Sequence, residues 1–490
     1  MLRDLQKLRS LSLSKRRFTM QHNFLNIDTI CAIATPHGMG AIATVRVSGT
    51  EAFPIVAGMF QHNGKPLAVG EIVSHKAYHG HLINKGALLD EVLVTFFRAP
   101  HSFTGEDSAE ISVHGSVYIQ QKLLQILIDN GCRLAEAGEF TRRAFVNRKF
   151  DLAQAEAIAD LISSESEAAH RVAINQLKGG FSKELQVMRS KLLEMTALME
   201  LELDFSEEDV EFADRSQLTA LLQETLSHVN RLKDSFRLGN AIKNGIPVAI
   251  VGQTNTGKST LLNALLGEDR AIVSDIAGTT RDTIEETLNI NGILFRFIDT
   301  AGIRDTDETI ERIGIERSYR KMNEANIIIG MLDATNDYES MLSSANGIVS
   351  KVDLKQQQLL LCINKVDVLP DQGETLLGQL RQDLDNEAVQ VICLSAKHGF
   401  GLSDLYNSLK HSQPLASPDA TLVSNVRHYE ALLHASESLN QVQQGLETAI
   451  PTDLVSQDLR QALHYLGSIT GEITTDEILG TIFSRFCIGK

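Results

Sequence analysis

Apolar positions recur along this chain with a changing period, and each change marks a segment. Between about Asn26 and Arg148 they alternate over short stretches. Thr29–Ala34, Ala41–Val47, Glu91–Phe97 and Ala109–His114 predict strands, the first two separated by the turn Pro36-His37-Gly38-Met39-Gly40, and Ile119–Asp129 predicts a helix. Past Phe150 the spacing becomes helical. Leu152, Ala155, Ile158, Leu161 and Ile162 share one face of Asp151–Ser164, and Leu177, Leu185, Met188, Leu192 and Leu193 continue the stripe across Gly179-Gly180. From Ile246 to about Gln413 strands and helices alternate, as in a mostly parallel α/β sheet. After Ser417 helical spacing returns, with Tyr429, Leu432, Leu433, Leu439 and Val442, then Leu459, Leu463, Leu466 and Ile469. The expected fold is therefore multidomain. An extension (1–25) precedes an N-terminal α+β domain (26–148). A discontinuous all-α helical domain (149–245 and 414–490) then carries an inserted α/β domain (246–413), and the helices flanking the insertion pack together.

At 490 residues the chain is long enough for several cores. Its 46 basic and 62 acidic residues give a formal charge of −16, a surface that repels phosphate backbones unless basic residues are locally concentrated. Five cysteines (Cys31, Cys132, Cys362, Cys393 and Cys487), with no C-x-x-C pair, fit a reducing compartment and argue against structural zinc. No apolar run approaches a membrane span, so the location expected is cytoplasmic. Met1–Thr19 is basic and leucine- and serine-rich. It reads either as a ragged extension, with Met20 an alternative start, or as a transit peptide that would make the destination mitochondrial. The acidic stretch Glu200–Glu211 reads as a solvated helix end or loop, because nothing fixes its carboxylates toward one point.

The chemistry is concentrated after Ile246–Val251. Gly252-Gln253-Thr254-Asn255-Thr256-Gly257-Lys258-Ser259-Thr260 satisfies G-x-x-x-x-G-K-[ST], after a β-branched run and before Leu261–Leu266 at helical spacing. Glycines there let N–H groups turn inward around phosphate oxygens at a helix N-terminus. Lys258 is placed for the β- and γ-phosphates and Ser259 for Mg²⁺. Next comes the polar loop Ser274-Asp275-Ile276-Ala277-Gly278-Thr279-Thr280, where a threonine hydroxyl such as that of Thr280 can complete Mg²⁺ coordination. Asp299-Thr300-Ala301-Gly302 follows a strand and supplies an outer-shell carboxylate and an N–H for the γ-phosphate. Asn364-Lys365-Val366-Asp367 and Ser395-Ala396-Lys397 select the base. An Asp367 carboxylate accepts from guanine N1–H and its exocyclic amine, donors that adenine lacks, so GTP is favoured over ATP. The residue after Gly302 is Ile303, where Ras-like proteins place a water-orienting glutamine. Another group must orient water. The Asn255 amide could hold a monovalent cation against the phosphates, or Asn255 could simply shape a turn.

Taken together, Gly252–Ser259, Asp275–Asp282, Asp299–Gly302, Asn364–Asp367 and the terminal Phe486-Cys487-Ile488-Gly489-Lys490 resemble the MnmE (TrmE) family of tRNA-modification GTPases. So do Phe103-Thr104-Gly105-Glu106-Asp107, Gly138–Phe145 and Asp151–Ala157. The GTPase motifs alone also admit ribosome-assembly GTPases such as Era or EngA, whereas the N- and C-terminal motifs single out MnmE. The resemblance implies a folate-binding and dimerising N-terminal domain and a homodimer. It also implies a heterotetramer with an FAD protein, MnmG (GidA), the FAD being on that partner. Such assemblies place aminomethyl or carboxymethylaminomethyl groups on the wobble uridine of tRNA, with 5-formyl- or methylenetetrahydrofolate as one-carbon donor. By position Arg46, Glu110, Lys149 and Lys490 match folate-binding residues, and Cys487 matches a cysteine implicated in tRNA modification. Without the resemblance these would read as strand-end salt bridges, a solvated tail and a buried thiol. It further implies K⁺ held by Asn255, Ser274, Ile276 and Thr279 when two G domains pair, with Glu311 orienting water through an intermediary.

Overall fold

The computed structural model describes residues 28–204, 215–268, 286–290, 292–298, 322–369, 373–411, 421–448, 450–484, 486 and 489. The chain forms two compact units, the first of residues up to Ala159 with Gly467–Lys490, the second Asp160–Leu466.

In the first unit, β1 (Ile30–Ile33), β2 (Ile42–Ser48), β3 (Phe60–His62), β4 (Lys65–Pro66), β5 (Ala77–Asn84), β6 (Ala87–Phe97), β7 (Ser108–His114) and β8 (Arg133–Leu134) make one sheet in the order β4-β3-β5-β6-β7-β2-β1-β8. Its pairings are antiparallel except β1 with β8. Strand alternation decides which side is core. In β2, Ala43, Val45 and Val47 are buried while Thr44 and Arg46 turn to the other face. Val92, Val94, Phe96 and Ile111 join them beneath the helices Ala52–Met59 and Val117–Asp129. The terminal helix Asp476–Phe483 packs Leu479 and Phe483 on Leu152 and Ala155. Residues 467–490, grouped with the helical segment by periodicity, thus lie in the N-terminal unit.

The motifs Phe103–Asp107 and Gly138–Phe145 serve a buried ionic network in this unit. Ser48 Oγ lies 2.7 Å from Thr104 Oγ1 and donates to Glu106 Oε2 at 2.8 Å. Arg143 reaches Glu106 at 3.2 Å and Glu139 at 2.9 Å, and Arg133 reaches Glu139 at 2.6 Å. Burial alone would raise the Glu139 carboxyl, but the Arg133 bond, the Glu136 N–H and Arg143 outweigh it and hold the pKa below the ordinary glutamate value. A depressed folded pKa adds stability above the unfolded value, about 4.3, that is lost as pH falls through the folded one. Glu139→Gln is expected to destabilise this unit by about 2 kcal/mol at neutral pH, since it takes a carboxylate from buried Arg143, which keeps Asp28 and Glu106, and from partly exposed Arg133, which keeps Asp28. Thermal unfolding checks both parts: the variant melts lower, and its stability falls less than the parent's between pH 5 and 3.

In the second unit the helical stripe read across Gly179-Gly180 is broken. Gly179 takes a left-handed φ of 77° and separates the helix Glu167–Leu177 from Gly180–Asp204. Arg215–Asp234 packs against Val426–Glu447, with Ser436 Oγ donating to Asn230 Oδ1 at 2.8 Å. Phe236 stacks on Tyr429 at 4.5 Å, and Gln176 Nε2 donates to Leu422 O at 3.2 Å. Helices before and after the insertion therefore do pack together. The inserted sheet contains β9 (Ile246–Gly252), β10 (Glu286–Ile290), β11 (Ile293–Phe297), β12 (Ile327–Asp333), β13 (Gln358–Asn364) and β14 (Val389–Cys393), in the order β10-β11-β9-β12-β13-β14. All pairs are parallel except β10 with β11. Cores lie on both faces, one around Val248, Leu261 and Leu360, the other around Ile328, Leu361 and Met341. β12 is buried at every position, as a strand covered on both sides must be. The carboxyl ends of β9, β12, β13 and β14 consequently open onto one edge, where an α/β sheet binds ligands.

Candidate functional site

β9 ends at Gly252, whose φ of 153° and closeness to β12 exclude a side chain: a Cβ would lie 2.5 Å from Met331 O. The loop then bends back through Asn255, left-handed at φ 63° and exposed, a conformation asparagine tolerates better than most residues. The turn role of Asn255 is therefore met by its backbone, and its side chain remains at the surface. Thr256 is buried and donates from Oγ1 to Gln253 O at 2.9 Å. Gly257 has a φ of 96°, and a Cβ there would fall 2.2 Å from Asn364 Nδ2. Lys258 opens the helix Lys258–Glu268, with Ser259 half-buried and Thr260 exposed behind it. The Lys258 ammonium curls over the loop and donates to Gly252 O at 2.9 Å and Gln253 O at 2.7 Å. Burial pushes its pKa below the usual lysine value.

The motifs at the ends of β13 and β14 meet this loop through Asn364. Its Nδ2 donates to Thr256 O at 2.8 Å, and its Oδ1 accepts from Ala396 N at 3.0 Å. One buried amide thus joins the phosphate loop to Ser395-Ala396-Lys397. Ser395 is buried, Lys397 exposed. The Ser395 hydroxyl holds the Asp367 carboxyl below the usual aspartate value, helped by His398 and Lys397, with His398 Nε2 3.6 Å from Asp367 Oδ2. Asp367 is an ionised acceptor at the rim of the sheet. Lys365 is left-handed at φ 67°, and its ammonium reaches Asp333 Oδ2 at 2.6 Å. Asp333 was not singled out from sequence. The sequence marks it only as a charge that closes an apolar strand, and its partner lies just past the next strand.

In the first unit β2 pairs with β7 so that Arg46 stands opposite Glu110. Arg46 Nε and Nη2 both donate to Glu110 Oε1, at 3.0 and 2.8 Å. The guanidinium also lies 5.0 Å from the Phe103 ring centroid and 5.7 Å from that of Phe140, an aromatic surround not foreseen from sequence. Lys149 donates to Pro100 O at 2.9 Å. Ser274–Thr280, Asp299–Gly302, Glu311, Cys487 and Lys490 lie outside the described residues.

Residues 29–149 match the family described as GTP-binding protein TrmE N-terminus, and residues 152–487 match the MnmE helical domain. Over 472 residues the chain is 50% identical to a protein of Bacteroides thetaiotaomicron named tRNA modification GTPase MnmE, covering 95% of this chain and 100% of that one. The chain belongs to the MnmE family. A member from Flavobacterium johnsoniae is also 50% identical, over 472 residues with the same coverage. Era from Aquifex aeolicus, crystallised with GDP and aluminium fluoride, shares 27% identity over 39% of this chain and 66% of its own, at a TM-score of 0.27. Membership extends through both units, which the nucleotide motifs alone could not establish. The fold is that of the family model: an N-terminal α+β domain, a discontinuous helical domain and an inserted P-loop GTPase domain. Among the described residues no helix is long and apolar enough to cross a membrane.

Proposed function

We propose that this protein hydrolyses GTP as part of a complex that modifies the wobble uridine of tRNA, forming 5-aminomethyl- or 5-carboxymethylaminomethyluridine. The observation that carries the nucleotide half is the Asn364 amide. It ties the phosphate loop to the Ser395–Ala396 loop, with the Asp367 carboxylate alongside. In this reading the loop receives the phosphates and the Asp367 carboxylate receives the guanine. The tRNA half rests on the relatives' name, which attaches to chains matching 95% of this one along their whole length.

The phosphate loop fits a bound polyphosphate: Gly252 and Gly257 let its backbone press against Met331 and Asn364, where a Cβ would clash, and so keep the tight turn that such a loop needs at a helix N-terminus. In this reading Asn255–Thr260 line the phosphates, Lys258 exchanges its loop carbonyls for phosphate oxygens, and Ser259 with Thr280 holds Mg²⁺, which neutralises developing phosphate charge. Asn255, Ser274, Ile276 and Thr279 hold K⁺. Bound there, the ion would supply the positive charge that an arginine finger supplies elsewhere, and Glu311 would orient water where Ile303 cannot. Arg46, Glu110, Lys149 and Lys490 receive the folate. The Arg46–Glu110 pair within its aromatic frame is a polar contact on a flat apolar surround, suited to a pterin ring. The chain works as a homodimer, with an FAD-carrying partner of the MnmG type in a heterotetramer, in the cytoplasm. Residues 26–148, 149–245 with 414–490, and 246–413 are its folate, helical and GTPase domains, with 467–490 of the helical segment packing into the N-terminal unit.

One set of assays on the purified chain tests this. GTP turnover should fall at least tenfold when Na⁺ replaces K⁺, and 5-formyltetrahydrofolate should bind in a calorimetric titration. Equal rates in the two salts would remove the cation mechanism, and absence of folate binding would remove the one-carbon role.

A further inference from the structure

Lys365 and its surroundings raise a question that the base-reading motif leaves open. In the nucleotide reading, Asp367 supplies the contact to guanine, and the lysine two residues earlier needs a separate account.

The sheet register provides one. β12 and β13 run parallel with Asp333 opposite Asn364, and Ala334 N donates to Asn364 O at 2.9 Å. The two strands therefore end level. Beyond Asn364 the chain turns at Lys365 into the left-handed region, φ 67°, which a side chain with a Cβ adopts only when its surroundings impose it. The turn brings the ammonium to Asp333 Oδ2 at 2.6 Å. The other oxygen of that carboxylate is already committed: Oδ1 accepts from Thr335 N at 3.0 Å and from Thr335 Oγ1 at 2.7 Å. Asp333 is 8% exposed, whereas the Lys365 side chain is 35% exposed. A shielded, oriented carboxylate thus holds the far end of a long side chain whose near end is fixed by backbone. The methylene stem is tethered at both ends, next to the turn Val366–Val368 that carries Asp367.

We propose that Asp333 is a positioning residue for the guanine slot: it anchors the Lys365 ammonium so that the lysine stem stands as a fixed wall against the face of the ring whose edge Asp367 reads. This rests on the GTP reading above. The carboxylate is ionised at neutral pH. Burial would raise its pKa, but the Lys365 and Thr335 bonds prevail and hold it below the ordinary value. An ordinary half-exposed ion pair contributes little to stability. This one matters through order: a lysine already held in place need not be immobilised when nucleotide binds. The wall covers a ring face and reads no edge, so its loss weakens purine binding while leaving the choice between guanine and xanthine to Asp367.

The test is a fluorescence titration of the full-length chain with N-methylanthraniloyl-GDP and its xanthine counterpart, at fixed Mg²⁺ and K⁺. The variants are Asp333→Asn, Lys365→Ala and the double substitution. Asp333→Asn keeps the shape and the Thr335 bonds while placing an amide against the ammonium. The expected result is GDP binding weakened by about tenfold, mainly through faster release, with the guanine-to-xanthine preference kept. In the Lys365→Ala background the Asp333 substitution should have no further effect, because it acts through that lysine. Thr335→Val, which frees one side of the carboxylate, should give a smaller loss of the same sign, and it decides the matter if Asp333→Asn fails to fold. A folded Asp333→Asn chain that binds GDP like the parent, or losses that add in the double variant, would overturn the positioning role alone. A parent chain that bound no guanine nucleotide would overturn the GTP reading and this role with it.

Discussion

Asp367→Asn is expected to move base preference from GTP to XTP. A carboxylate accepts from guanine N1–H and from the exocyclic amine. An asparagine keeps one acceptor but turns a donor toward the amine, leaving two donors opposed. Each unpaired polar group costs on the order of 1–3 kcal/mol, so GTP affinity should fall on the order of 10²–10⁴-fold. Xanthine carries a carbonyl in place of that amine and pairs with the amide, so XTP should bind at least as well as to the parent. The sheet is untouched, because Asp367 stands at the rim and its partners are Ser395 and His398. The midpoint of thermal unfolding should therefore hardly move. Competition of GTP and XTP for a fluorescent nucleotide measures the change, and unaltered GTP preference would refute the assignment.

Lys258→Ala should remove nucleotide binding more completely and without regard to the base. The ammonium now rests on the Gly252 and Gln253 carbonyls, poised at the mouth of the loop. Hydrogen bonds to charged groups contribute about 1.5–3 kcal/mol each, so losing contacts to two phosphates should weaken GTP on the order of 10²-fold or more. Hydrolysis should fall further, because charge on the transferring phosphoryl group would go unneutralised. Stability should not suffer, since burial already disfavours this ammonium in the folded chain. Equilibrium binding and single-turnover hydrolysis, read beside an unfolding curve, separate loss of the site from loss of the fold.

Much of this was legible in the sequence, and the reasons differ by element. β2, β6 and β7 bury one face, so alternation reveals them. β12 and β13 are sandwiched between helices and appear as unbroken apolar runs. β5 escaped notice. Its Gly80 lies so close to Gln61 O and the Phe60 ring that no side chain fits, and histidines at 79 and 81 dilute the apolar signal. The break at Gly179 was hidden because the stripe resumes in phase beyond it. Within the site, the residues of the phosphate loop and of Asn364–Asp367 were visible because their backbone conformations and donors demand particular residue types. Asp333 was not, since its role depends on strand register across 32 positions of chain, which no local spacing records. The same holds for Phe103 and Phe140 around Arg46. The motifs Phe103–Asp107 and Gly138–Phe145 carried the family resemblance, yet in the fold their charged residues mostly bind one another.

The claim at the centre of this account, that the nucleotide site serves tRNA modification, is tested most directly by mass spectrometry of wobble nucleosides. The tRNA would come from cells lacking this protein, complemented with the parent chain or with Lys258→Ala. The 5-aminomethyl- and 5-carboxymethylaminomethyl-type uridines should vanish on deletion, return with the parent and stay absent with Lys258→Ala. Unchanged wobble uridines in the deletion strain would contradict it.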